Sequence, residues 1–253
     1  MAASYDTFAP FYDLEYGHKE NDLDFYLDMA ETYGVPVLEI GVGTGRVALE
    51  LATHRFHVWG IDNSPNMLRE AQHKIDDLHP MEHSRLTMTH ADMRDFSLPQ
   101  QFPLCIIPFR AFLHNLTQMD QLSTLRQIRA HLTENGILAL DVFVPLYHLM
   151  AQTEWHDVVE SHELADETTP ITINIDIQHH PAEQRLHITN TYLDANEPHE
   201  TQASMTYRYI FRYEMEALLR CAGFQVLQVY GGFEKQPYDY QSGIMVFVAR
   251  VKN

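Results

Sequence analysis

Three glycines and two acids set the chemistry open to this chain. The segment Val37-Leu38-Glu39-Ile40-Gly41-Val42-Gly43-Thr44-Gly45-Arg46 runs a hydrophobic strand into alternating glycines and then into a helix. Glycine at such a junction allows left-handed turns and lets a ligand approach without obstruction by a Cβ. A dinucleotide loop would read G-x-G-x-x-G, with the helix N-terminus facing a pyrophosphate. Here the third glycine comes one residue early, position 46 is arginine, and Glu39 precedes the loop. A carboxylate at that point repels a pyrophosphate and suits a cationic amino-acid head group. The loop does not favour a nicotinamide cofactor.

Asp62 ends the next strand, twenty-one residues after Gly41. A carboxylate there accepts two hydrogen bonds from a ribose diol. Asp92 and Met93 follow the third strand and offer a polar and an apolar contact to an adenine ring. Ribose, adenine and an amino-acid head group together describe S-adenosyl-L-methionine. The fourth strand leads into Pro108-Phe109-Arg110-Ala111-Phe112-Leu113-His114. Residues past the carboxyl end of that strand face the ligand crevice of an open α/β sheet, which puts Pro108 on the cofactor side. His114 is the best base candidate, because imidazole titrates near neutrality and takes a proton from an ammonium or hydroxyl acceptor; its alternative is a structural histidine bonded to backbone. Arg110 is a candidate clamp for an acceptor carboxylate or phosphate, or else pairs with a local acid. Arg208 and Arg212, alternating with Tyr207, Tyr209 and Tyr213, would line an acceptor pocket or an exposed strand face. His54/His57 and His79/His83 have metal-like spacings, but neither completes a tetrahedral set; no metal is expected.

The elements that must hold these residues read as alternating strands and helices. Strands are expected at Val37–Ile40, His57–Ile61, Arg85–Thr89, Leu104–Pro108 and Ile137–Val144, and helices at Arg46–Thr53, Pro65–Asp77 and Gln118–Leu132. Ser64 before Pro65 reads as a cap and first helical residue, Thr117 with Asp120 as a capping arrangement, and Asn135-Gly136 as a stop. Such alternation implies a parallel sheet covered on both faces. After Pro145 the period changes to two. Ile171, Ile173, Ile175 and Ile177 alternate with polar residues; Leu186–Leu193 and Thr201–Phe211 read as return strands. A helix carrying Met215, Leu218, Leu219 and Ala222 stops at Gly223, and strands Phe224–Tyr230 and Ile244–Val251 follow.

Composition narrows the classes. The chain has 253 residues, 45% hydrophobic, enough for a large core and unlike a disordered or collagen-like chain. Seventeen basic against thirty-five acidic residues give a net charge of −18, which repels nucleic-acid backbones, and no basic patch offsets it. The longest apolar run, Ile244–Ala249, is far short of the ~20 residues of a membrane span. No signal-like segment opens the sequence, and the two cysteines sit in apolar stretches, so a reduced, cytoplasmic setting is expected. Residues 151–200 hold eleven acids and one base, either a solvated sheet face or an acidic cover favouring a cationic substrate.

Three motifs in order carry a resemblance. Glu39–Gly45, Gly60-Ile61-Asp62-Asn63-Ser64-Pro65-Asn66-Met67-Leu68 and Ala91-Asp92-Met93-Arg94-Asp95-Phe96 resemble the class I S-adenosylmethionine-dependent methyltransferases. The resemblance implies a Rossmann-like α/β fold, a seven-stranded sheet with its last strand antiparallel, and it adds Asn63 and Met67 to the cofactor contacts. Tyr5-Asp6-x-x-Ala9-x-x-Tyr12-Asp13 is similar to small-molecule N-methyltransferases acting on glycine or aminosugars, which carry an antiparallel insertion after the fifth strand and fold the N-terminal segment over the donor. That likeness implies Tyr5 at the cofactor and Tyr12 among the catalytic residues. The expected organisation is an N-terminal helical lid over 1–34, a cofactor-binding core over 35–145 and 212–253, and an insertion over 146–211 that covers substrate or makes a dimer contact. The expected activity is methyl transfer to a small-molecule acceptor, an amine nitrogen first. A hydroxyl oxygen comes second, and a non-catalytic cofactor-binding scaffold is the remaining alternative.

Overall fold

The computed structural model describes residues 5–161, 171–194 and 200–252. Its helices are α1 (Tyr5–Tyr16), α2 (Leu23–Tyr33), α3 (Arg46–Thr53), α4 (Pro65–Asp76), α5 (Pro80–His83), α6 (Gln118–His131), α7 (Tyr147–Met150) and α8 (Arg212–Cys221). Its strands are β1 (Val37–Ile40), β2 (Val58–Asp62), β3 (Leu86–His90), β4 (Phe102–Ile107), β5 (Leu132–Phe143), β6 (Glu154–Ser161), β7 (Ile171–His180), β8 (Arg185–Asp194), β9 (Thr201–Arg208), β10 (Phe224–Tyr230) and β11 (Ile244–Val251). Seven strands form one sheet in the order β10-β11-β5-β4-β1-β2-β3. β1 to β5 run parallel, whereas β11 is antiparallel to both β5 and β10. The strands β6-β7-β8-β9 make a separate antiparallel sheet.

Side-chain alternation sorts the core. Leu38, Ile40, Cys105, Ile107, Leu138 and Leu140 point to the face covered by α6 and α8, and Val37, Leu104, Ile106, Ile137 and Ala139 to the face covered by α2 and α3. A third cluster joins Phe8 and Ala9 of α1 to Met67 of α4 and to Ile171, Ile173, Tyr192, Ala203 and Met205 of the smaller sheet. The caps expected at α4 and α6 are present. Ser64 Oγ accepts from Met67 N–H at 3.2 Å, and Thr117 Oγ1 from Asp120 N–H at 3.1 Å.

Three boundaries differ from the sequence reading. The fifth strand starts at Leu132, directly after α6. Its register then jumps from Phe102–Leu132 to Leu104–Ile137, so Asn135, with φ 65°, bulges out within the strand and ends no helix. β6 had no apolar alternation to announce it, because Glu154-Trp155-His156-Asp157 is the polar edge of its sheet. β9 stops at Arg208, since Phe211 caps α8. Among the described residues no helix is long and apolar enough to cross a membrane. Nor is any group of three or more His, Cys, Asp or Glu placed to hold a metal ion.

Candidate active site

The carboxyl ends of β1, β2, β3 and β4 open into a cavity of about 810 Å³, roofed by α1 and bordered by β8 and β9. Gly41 (φ 70°) and Gly43 (φ 56°) both hold left-handed backbone in its floor. A Cβ on Gly41 would stand 2.6 Å from Ala111 Cβ, so glycine alone lets the turn after β4 pack against the loop. Gly43 has nothing within 4 Å of that position and leaves a cradle. Asp62 fixes the loop: Oδ2 accepts from Gly43 N–H and Oδ1 from Ser64 N–H, both at 2.8 Å.

Glu39 is buried beside this cradle, and its Oε2 has no hydrogen-bond partner. Burial pushes its carboxyl from 4.5 up to about 8; Arg46 opposes the shift, while Asp22 and Asp62 add to it. Arg46 cannot satisfy Glu39, because its guanidinium makes a two-pronged pair with Asp22, both bonds at 2.6 Å, and donates to Lys19 C=O. A buried acid without a partner, next to a side-chain-free cradle, fits the ammonium group of an amino-acid head. The residues therefore fit S-adenosylmethionine. Because the folded state holds the Glu39 proton more tightly than the unfolded chain, this group's contribution to stability falls as pH rises from 4.5 toward 8. Glu39→Gln removes that part of the decline. Its melting temperature is expected to gain several degrees on wild type between pH 5.5 and 8.5, in ligand-free protein. Parallel pH dependences would show that Glu39 ionises as freely as in the unfolded chain.

The helix α1 brings aromatic residues to the roof because Tyr5, Phe8, Tyr12 and Tyr16 recur at helical spacing on one face. Two acids on its flank latch it to the cofactor loops. Asp6 Oδ1 accepts from Ser64 Oγ–H at 2.7 Å, and Asp13 from Thr44 Oγ1–H at 2.7 Å and Lys74 Nζ–H at 2.8 Å. Pro10 lies inside α1 and has no N–H for the Asp6 carbonyl; Asn66 Nδ2–H fills that vacancy at 2.9 Å.

Past β4, Phe109 (φ 52°) and Arg110 (φ 66°) both take left-handed backbone, a costly conformation for these side chains. Asp141 of β5 compensates. Its buried carboxylate accepts from Phe109 N–H (2.7 Å), Arg110 N–H (3.2 Å) and Tyr26 Oη–H (2.8 Å). Burial raises Asp141 to about 6, against the pull of these bonds. His114 follows on a short helical turn, its Nε2 2.7 Å from Tyr5 Oη and its ring 4.7 Å from that of Tyr207. The expectation that it titrates near neutrality needs correction: burial lowers it from 6.5 to about 4, so it is neutral throughout the physiological range.

Tyr5, Tyr12, Glu39, Gly41, Gly43, Asp62, Asn63, Met67, Asp92, Met93, Pro108 and His114 all line this one cavity. Asp92 does so with its carboxylate held by Arg94 at 2.5–3.2 Å, which lowers its pKa. Arg110, expected to clamp the acceptor, is not among the residues that line the cavity; its guanidinium lies 5.2 Å from the Phe109 ring centroid. Arg208 and Arg212 are not brought to the cavity. Arg208 is buried on Gln121, Gln184 and Glu214 at 2.8–3.0 Å, tying β9 to α6 and α8. Arg212 pairs with Glu216 at 2.9 Å and lies against Tyr213 and Tyr238. Both charges are already committed. The sequence reading missed Tyr16, Phe109 and the polar residues His187, Ser204 and Thr206 of the small sheet, while Tyr207, which it set beside Arg208 and Arg212, lines the cavity without them. Tyr16 was findable, being one helical turn beyond Tyr12.

Residues 37–136 match the family of the methyltransferase domain. A putative methyltransferase, YqeM, of Bacillus subtilis is 31% identical over 107 residues, 42% of this chain and 41% of that protein. A glycine/sarcosine N-methyltransferase of Parasynechococcus marenigrum is 30% identical over 125 residues, 48% of this chain and 43% of that protein. The chain thus spans under half the length of these curated relatives. Among solved structures, the CcbJ methyltransferase from Streptomyces caelestis superposes with a TM-score of 0.83 at 24% identity, over 97% of this chain and 96% of that one. CalS10, an amino pentose methyltransferase from Micromonospora echinaspora, does so with a TM-score of 0.71 at 22% identity, over 94% and 95%. Residues 37–136 thus match a methyltransferase domain, and the chain as a whole has the fold of these solved methyltransferases.

Proposed function

We propose that this chain transfers a methyl group from S-adenosylmethionine to a nitrogen of a small-molecule acceptor. The observation that carries the reading is continuity: the unpaired Glu39 carboxyl and the Tyr5–His114 pair open into the same cavity. When bound, the cofactor supplies a sulfonium-activated methyl carbon for in-line displacement. Glu39 then takes the head-group ammonium, Asp62 the ribose hydroxyls, and Asp92 with Met93 the adenine edge. The rings of α1, with Phe109 and Tyr207, keep water from the transfer path. The acceptor's proton passes to Tyr5 Oη as Tyr5 gives its own to the unprotonated His114 Nε2, while the other ring nitrogen is held on the Thr206 backbone. An imidazole with so low a pKa is a poor base for an alcohol, which must lose its proton in order to attack. An amine attacks through its lone pair and sheds a proton only as its product turns acidic. That difference favours nitrogen over oxygen. The similarity to CalS10 and to a glycine/sarcosine N-methyltransferase supports the same choice.

Isothermal titration with S-adenosylmethionine, S-adenosylhomocysteine and NAD tests the cofactor. Both sulfur ligands should bind and NAD should not; Asp62→Ala should weaken both by about 1–3 kcal/mol through lost hydrogen bonds. Equal affinities in wild type and variant would remove Asp62 from the ribose. Transfer of labelled methyl to amine but not hydroxyl acceptors tests the rest. Binding without transfer to either would mark a scaffold.

A further inference from the structure

In the smaller sheet β9 pairs with β8 on one side and, among the described residues, with no strand on the other. Such an edge offers its outward N–H and C=O groups to whatever lies beside it. The register shows which residues own them. Just past β9, Tyr209 N–H donates to Gln184 C=O at 2.9 Å, and the pairing runs on unshifted from Arg208–Arg185 to Thr201–Tyr192. In an antiparallel pair, residues that bond their partner alternate with residues that point away. Counting back from Tyr209, Tyr207, Met205 and Ala203 bond to β8, whereas Thr206, Ser204 and Gln202 turn both backbone groups outward.

Two observations agree with that count. The His114 ring is held on the Thr206 backbone, which needs this carbonyl on the open edge. Pairs that point away also bring their side chains closest. His187 Nδ1 lies 3.1 Å from Thr206 Oγ1, and Thr189 Oγ1 lies 3.2 Å from Ser204 Oγ. Gln202, Ser204 and Thr206 all line the cavity. Among the described residues, the N–H of Thr206 and both backbone groups of Ser204 and Gln202 have no hydrogen-bond partner.

The open edge therefore passes the Tyr5–His114 pair, and Tyr5 Oη lies 3.9 Å from Met205 Sδ. Two residues of a strand span roughly 6.8 Å, so the free groups of Ser204 stand one repeat from the carbonyl that holds His114. Gln202, Ser204 and Thr206 carry no charge, so they hold a ligand by hydrogen bonds alone. An oxyanion, which only accepts, would satisfy the N–H groups and be repelled by the carbonyls between them. One donor and one acceptor, repeated at every second residue, is the pattern that a second extended peptide answers.

Resting on the methyltransferase reading above, we propose that the open edge of β9 binds the acceptor as an added strand, and that the acceptor is an aminoacyl amide or short peptide methylated at its terminal amine. Ser204 N–H and C=O pair with the C=O and N–H of an acceptor residue while the amine lies at Tyr5. The N–CH3 bond forms as the donor's S–CH3 bond breaks, and the amine's proton leaves through Tyr5 to His114.

Trialaninamide, its analogue with both internal amides replaced by esters, and butylamine are the probes. Each is titrated as acceptor with labelled S-adenosylmethionine, and KM and kcat are read separately. Transfer to the terminal amine of trialaninamide is expected, with a KM at least tenfold below that of the ester analogue and of butylamine. The ester oxygens cannot donate to the outward carbonyls. Ser204→Pro removes one outward N–H and no bond to β8, and an edge strand accepts proline at such a position. It should raise KM for trialaninamide at least tenfold, with S-adenosylhomocysteine affinity within twofold of wild type. If the variant does not fold, the amide–ester comparison in wild type decides alone. Equal KM for amide and ester would overturn the added strand. So would a KM unchanged in Ser204→Pro, or no transfer to trialaninamide by wild type that binds S-adenosylhomocysteine. Failure of S-adenosylhomocysteine to bind wild type would instead overturn the methyltransferase reading.

Discussion

His114→Ala should lower the rate of methyl transfer by about 10²-fold or more, with S-adenosylhomocysteine affinity changed less than threefold. The asymmetry follows from position. His114 touches Tyr5 and Tyr207 at the acceptor end, whereas the cofactor's polar contacts are assigned to Glu39 and Asp62 at the glycine loop. Tyr5→Phe, which keeps the ring and loses the hydroxyl, should give part of the same loss. The pH profile separates catalysis from packing. With His114 held near 4 by burial, wild-type kcat should show no inflection near 6.5, where an exposed histidine would place one. Unchanged turnover in His114→Ala, with an acceptor that wild type methylates, would remove this residue from the mechanism.

Asp22→Ala should be the most destabilising of the substitutions considered. Asp22 is buried and Arg46 largely so, and their two bonds join the start of α2 to the start of α3. Removing one partner of a buried pair leaves the other charge uncompensated and costs about 3–5 kcal/mol. For a chain of this size that lowers the melting temperature by about 6–20 °C. A second consequence concerns the cofactor. Freed from Asp22, Arg46 has the orphaned oxygen of Glu39 to turn to, and would then occupy the place assigned to the ammonium. Cofactor affinity should therefore fall along with stability. Arg46→Met on the Asp22→Ala background should recover part of both losses, as the buried charge is removed. A melting temperature unchanged by Asp22→Ala would show that the pair is solvated in solution.

What the sequence disclosed is local in the chain. The glycine loop, the acid at the end of β2 and the caps Ser64 and Thr117 each act on backbone within a few residues, so type and spacing suffice to read them. The alternation of strands and helices disclosed a parallel sheet for the same reason, whereas its seven strands with the last antiparallel were implied by the family resemblance. The features that stayed hidden join distant residues. Tyr5 meets His114 across 109 positions, and Tyr26 meets Asp141 across 115. No spacing rule reaches that far. The low pKa of His114 is a product of burial under α1 and β9, and so could not be read from the residue itself. Arg208 misled because an Arg/Tyr alternation looks alike whether its charge faces a ligand or is consumed by Glu214 and two glutamines. β6 was silent because an edge strand needs no apolar face.

The position of α1 reverses the order of synthesis. Tyr5, Asp13 and Glu15 leave the ribosome early, yet their partners lie at His114, Lys74 and Asn190, and the floor of their apolar cluster includes Ala203 and Met205. The helix can find its seat only after some two hundred further residues have emerged and β9 has formed. It has to remain undocked until that stretch has been made, and loop-closure entropy makes its docking a late event in refolding as well. A segment added last to a finished scaffold is also released first. The amides of α1 should exchange with solvent through openings that leave the seven-stranded sheet intact, and a ligand spanning the cavity should slow them more than any others. The first helix of the chain would then be the final piece of the protein to fold.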